Sequence, residues 1–147
     1  MKRNETAAAT VWAGHFQVHT GGRGTLDITD EASSRIAESG VTTGLCQVFL
    51  AHTSASLLIT ENADPTVRRD LEAWLQRAVP DGDAIYRHTA EGPDDMPAHV
   101  RSALLGTSVS VPVRRGRLAL GTWQGLYLFE HRTAPHVRTV HVTVIGE

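Results

Sequence analysis

Apolar and polar residues alternate in short runs along most of this chain, and the period lengthens to that of a helix in only three places. "TVWAGHFQVHT" reads as a first strand. "GLCQVFLAHT" is apolar on both faces, which suggests a central strand, and "SASLLITEN" follows as another. Val109, Val111 and Val113 alternate, a turn is expected at Arg115-Gly116, and Leu118 and Leu120 resume the alternation. "LYLFEH" and "VRTVHVTVIG" close the chain, with Val140, Val142 and Val144 facing one way and Thr139, His141 and Thr143 the other. The first helix lies in "TLDITDEASSRIAESG": Thr29 or Asp30 can cap it, Ile36 and Ala37 face inward, and Gly40 suits the stop. The clearest helix is "ADPTVRRDLEAWLQRAVPDGD". Asp64 caps its start, Pro65 fits the first turn, and Val67, Leu71, Trp74, Leu75 and Ala78 fall on one stripe. A third helix runs from about Asp95 to Leu105 and stops at Gly106. Many strands, few helices and hairpin-like connections predict an α+β fold of mostly antiparallel sheets packed with two to three helices.

Composition narrows the class. The chain has 147 residues, 41% hydrophobic and 20% charged, without linker or repeat, so one domain over 1–147 is expected, with residues 1–9 a flexible N-terminus. A net charge of −2 gives no basic face for nucleic acid, and the run Arg114-Arg115-Gly116-Arg117 reads as a solvated turn. No apolar run approaches the ~20 residues of a membrane helix, and the N-terminus lacks the apolar core of a signal peptide. The single cysteine, Cys46, excludes an intrachain disulfide and fits a cytoplasmic protein. It sits inside an apolar strand, as a buried, inert thiol would.

Eight histidines are the unusual count. "YRHTAEGPDDMPAH" places His88 in a loop and His99 in the first turns of a helix, with Gly92, Pro93 and Pro97 turning the chain between them. Two neutral imidazoles and a third ligand suit zinc or a similar borderline metal. Asp95 stands four residues before His99 and can hydrogen-bond it from the same helix face. The competing reading makes Asp94 or Asp95 a helix cap and both histidines surface residues. His52, at a strand end, is a possible third ligand. Glu61 stands at the far end of the next strand from it. Ser54 and Ser56 lack a nucleophile motif such as GxSxG. In "LGTWQGLYLFEHR", Trp123 beside Gln124 can wall a small-molecule pocket or belong to the core. Glu130 can bind metal, act as a base, or pair with Arg132 or Arg138. Those two arginines are the candidates for gripping a phosphate.

"HTSASL" with "ENADPTVRRD", then "HTAEGPDDMPAH", then "GTWQG" with "EHR" resemble, in order and over nearly the whole chain, the YjbQ-like family. One departure is Thr60 before Glu61-Asn62, where the family usually has asparagine. The resemblance implies a compact α+β homotrimer with a polar pocket near subunit boundaries. The metal ligands it points to are His52, His88 and His99, and the catalytic groups are Glu91, Glu130 and Arg138. Glu61, Asn62, Asp64, Thr122, Trp123 and Gln124 are its ligand-binding residues. It also implies a secondary thiamine-phosphate synthase activity on small phosphorylated substrates, with release of pyrophosphate. That chemistry calls for Mg²⁺, which prefers oxygen ligands, whereas three histidines suit Zn²⁺. The residues therefore leave two other readings open: a different metal-dependent enzyme working through metal-activated water, or a non-catalytic trimeric protein that binds metal or metabolite.

Overall fold

The computed structural model describes residues 8–147, so the expectation for the N-terminal segment falls almost wholly outside the described residues. The elements in chain order are β1 (Thr10–His19), β2 (Gly24–Asp27), α1 (Thr29–Ser39), β3 (Thr43–Leu50), β4 (Ala55–Glu61) and α2 (Pro65–Ala78). Then follow α3 (Asp95–Leu105), β5 (Ser108–Arg114), β6 (Arg117–Leu118), β7 (Gln124–Glu130) and β8 (Val137–Gly146). The strands pair antiparallel throughout, in two sheets ordered β1-β8-β3-β5-β6 and β2-β7-β4. This is the α+β architecture expected, with β3 central in its sheet. Among the described residues no helix is long and apolar enough to cross a membrane.

The core lies between the two sheets. Val140, Val142 and Val144 of β8, Cys46, Val48 and Leu50 of β3, and Val113 of β5 meet Leu57 of β4, Leu126 and Leu128 of β7, and Ile28, Ala32 and Ile36 around α1. Cys46 is buried there, and burial pushes its thiol up to about 11, so it stays protonated and inert. Strand β7 is buried on both faces, because α2 and α3 cover the far side of the smaller sheet; Arg68 of α2 stacks 4.7 Å from the Tyr127 ring centre.

Turns follow their chemistry. Arg115 and Gly116 both have positive φ (52° and 70°), the pair that a tight β5–β6 hairpin requires. Gly40 ends α1 in the left-handed conformation, and Asp64 caps α2 through Thr66 N at 2.9 Å. Three expectations fail. Ala37 is exposed, and Ala32, one turn before Ile36, is buried in its place. Neither Thr29 nor Asp30 caps α1; Ile28 stands at its N-cap, and Asp27 accepts from Thr29 N. On α2, Trp74 and Ala78 are exposed, and only Leu75 and then Val79 reach the interior. The helix lies across the outside of the small sheet and touches it along a narrower line than its apolar stripe.

Candidate metal centre

The segment between α2 and α3 carries His88, and several anchors hold it. Arg23 grips Asp81 with both terminal nitrogens (2.9 and 3.0 Å) while its Nε donates to the His131 carbonyl. Gly82 N donates to the Pro93 carbonyl, and Gly92 turns the chain with a φ of 105° that a larger side chain would resist. Asp94 Oδ2 accepts from Arg132 Nε, Thr133 N and Thr133 Oγ1 at 3.0–3.1 Å. Burial alone would raise the Asp94 carboxyl, but these donors outweigh it and hold it down at about 2. Asp94 therefore stands at the N-cap of α3 without using its side chain as a cap. It ties the helix start to the end of β7.

This frame fixes Asp95. Its carboxylate is 2% exposed and lies between two imidazoles: Oδ2 is 2.6 Å from His88 Nε2, and Oδ1 is 3.4 Å from His99 Nε2. Arg132 Nη1 approaches Oδ1 at 2.9 Å from behind. Burial would raise the Asp95 carboxyl, but the His88 hydrogen bond and the charges of His99 and Arg132 bring it below its ordinary value. His99 sits one turn beyond Asp95 on α3, and its Nδ1–H donates to the Thr53 carbonyl at 2.8 Å. That bond fixes the tautomer and leaves the Nε2 lone pair aimed at the group, as outer partners of metal-bound histidines do. One donor atom from each of His88, Asp95 and His99 lies within 4.8 Å of the others. A zinc ion with bonds of 2.0–2.1 Å sets its tetrahedral ligands roughly 3.3 Å apart, a spacing that the 2.6 and 3.4 Å separations between Asp95 and the two imidazoles bracket.

The side chain that the fold sets beside His88 and His99 is Asp95, and His52 stands outside this group. His52 Nε2 accepts the backbone N–H of Thr139 at 2.8 Å, so its lone pair is already used. The sequence signal for Asp95 is its i, i+4 spacing to His99, which the structure turns into a 3.4 Å approach. His52 still shares a 660 Å³ open cleft with Thr53, His99 and Ser102.

The remaining candidates divide into three. Glu130 and Arg138 form a fully buried two-bonded pair at 2.6 Å, which removes Glu130 from any role as a free base or metal ligand. Glu91 is 65% exposed and only 3.9 Å from Arg132. The set Glu61, Asn62, Asp64, Thr122, Trp123 and Gln124 does come together, but at the opposite end of the small sheet: Glu61 pairs with Gln124, whereas Ala55 pairs with Glu130. There Asn62 donates to the Thr122 and Gln124 carbonyls, Glu61 accepts from Asp64 N, and Gln124 accepts from Gly121 N. These contacts close a loop that leaves Trp123 64% exposed, outside the core. Sequence reading did not find the buried Ser56–His131 contact (2.8 Å) beneath α3, because no motif marks it.

Comparison with known proteins agrees with this arrangement of motifs. The family described as UPF0047 protein YjbQ-like matches residues 14–147. The chain is 52% identical over 130 residues to the UPF0047 protein sll1880 of Synechocystis, covering 88% of each. It is 50% identical over 126 residues to the UPF0047 protein YjbQ of Salmonella typhimurium, covering 85% of this chain and 91% of that one. A solved structure from Sulfolobus solfataricus, described as a YbjQ-like protein of unknown function, superposes with a TM-score of 0.87 at 26% identity, over 95% of this chain and 100% of that one. The family description and these relatives name no synthase reaction, which overturns the expectation of thiamine-phosphate synthase activity. The side chains agree. Arg132 is spent on Asp94 and Asp95, and Arg138 commits two of its three nitrogens to Glu130, leaving no pair of free guanidiniums for a diphosphate.

Proposed function

The chain belongs to the YjbQ-like UPF0047 family, and from that premise we propose that it is a divalent-metal protein, with His88, Asp95 and His99 holding the ion. The observation that carries this reading is the convergence of two imidazoles on one buried carboxylate, with the His99 tautomer set by the Thr53 carbonyl. Two nitrogens and one oxygen match Zn²⁺ better than Mg²⁺. When bound, such an ion acts as a Lewis acid on a water or an oxygen donor in its open position. The protein's own part is orientation: Arg132 and Asp94 hold Asp95, Thr53 holds His99, and the cleft beside His99 gives a small molecule its approach.

The test is metal content of the purified protein after dialysis, for the wild type, His99→Ala, Asp95→Ala and His52→Ala. Near-stoichiometric zinc that is lost in the first two variants and kept in the third is expected. Zinc absent from the wild type, or lost only with His52→Ala, would reject the centre.

The same proposal includes assembly as a homotrimer. The outer face of the larger sheet supports it. Leu45, Phe49 and Ile145 lie there at 44–46% exposure, with Gln47, His141 and Thr143 beside them and no formal charge among these residues. An open sheet face of this character suits contact with further copies of the chain.

A further inference from the structure

His52 and Arg138 meet in a way that their hydrogen bonds leave incomplete. Thr139 N–H donates to His52 Nε2 at 2.8 Å, so the imidazole cannot be doubly protonated and must carry its hydrogen on Nδ1. Burial, and then the charge of Arg138, also lower the pKa of His52 and keep it neutral. Nδ1–H faces Arg138 Nη1 at 3.5 Å. A guanidinium nitrogen is a donor only, so two donors point at each other. The other Arg138 nitrogens are satisfied: Nε and Nη2 by Glu130 at 2.6 Å each, and Nη2 also by Ser54 Oγ at 3.0 Å. Among the described residues Nη1 has no acceptor. Arg138 as a whole is 3% exposed, and its contact with His52 is the part-buried end of the side chain. One oxygen can sit about 2.9 Å from both nitrogens and accept from each.

We propose that His52 Nδ1 and Arg138 Nη1 form a subsite for a single oxyanion, the carboxylate or phosphate group of a small molecule. The pair is separate from the metal group, because neither residue belongs to it. It deepens the metal-centre reading, and rests on it only in that His52 and His99 line one cleft, so one ligand can reach both. Glu130 cancels the formal charge of Arg138, so recognition works through directed hydrogen bonds more than through net charge. This favours one oxygen held bidentately by the pair over a polyphosphate.

Calorimetric titration of EDTA-treated protein with inorganic phosphate and, separately, sodium acetate tests this. Saturable binding of either anion by the metal-free wild type is expected, with Trp74→Ala, on the exposed side of α2, binding within about threefold of it and His52→Phe weaker by roughly tenfold or more. Thermal melts confirm that each variant is folded. Long-range ¹H–¹⁵N spectra of the wild type supply a readout that needs no variant: the His52 Nδ1–H resonance should move on anion addition. A phosphate effect that appears only with zinc and disappears in His99→Ala would place the anion on the metal and overturn the subsite. So would a His52 resonance unmoved by tens of millimolar of both anions. Because these titrations are run without metal, a missing zinc ion and a missing anion site give different results.

Discussion

His131 should make this protein acid-labile well above the range where carboxylates titrate. Its side chain is fully buried between the smaller sheet and α3, where Nε2 meets Ser56 Oγ at 2.8 Å and Nδ1 has no partner among the described residues. Burial, and then the charges of Arg101, Arg23 and Arg138, lower its pKa from 6.5 to about 3. The unfolded chain therefore binds a proton below about 6.5 that the folded chain refuses. Stability from this group is complete above 6.5 and is lost as pH falls from there toward 3. At about pH 5 the gap of roughly 1.5 units below the unfolded value corresponds to about 2 kcal/mol. Urea unfolding of metal-free protein at about pH 7.5, 6.5, 5.5 and 5.0 measures it, with His131→Gln as the variant that keeps a polar group for Ser56 but does not titrate. The wild type should lose about 2 kcal/mol more than the variant across that range. His52 shifts in the same direction, but it is present in both proteins and cancels in the difference. Equal slopes, or an imidazole resonance of His131 titrating near 6.5, would refute the reasoning.

Two further outcomes follow from buried charge and exposed surface. Arg101 is fully buried and donates to Glu72 at 3.1 Å, so Glu72→Ala strands a guanidinium; about 3 kcal/mol of destabilisation is expected, the low end for a buried pair because Glu72 is a quarter exposed. Chemical denaturation checks this, and the double replacement Arg101→Met with Glu72→Met should recover most of the loss. Phe49→Lys places a charge on the open sheet face and should shift the protein toward monomer in sedimentation velocity while leaving zinc content unchanged. An unaltered sedimentation coefficient would remove that face from the assembly.

Much of the fold was legible in the sequence because its signals are local. The α3 boundaries at Asp95 and Leu105, the Asp64-Pro65 start of α2, the Arg115-Gly116 turn and the alternation of Val140, Val142 and Val144 all depend on backbone preferences and on the period of a few neighbouring residues. What lay beyond reach depends on which surface each element meets. Trp74 and Trp123 look like core by residue type, yet α2 touches the small sheet along a narrow line and the loop at 121–124 closes outward through Asn62. His88 and His99 stood out by type and spacing. What stands between them was decided by the fold, which turns the His52 lone pair toward Thr139 and sets Asp95, held by Arg132, between the two imidazoles. Sequence determined which residues could serve as ligands, since that is a property of each side chain. Only tertiary structure could decide which of them face one another, since a hydrogen bond from a distant strand can occupy a donor atom that composition leaves free.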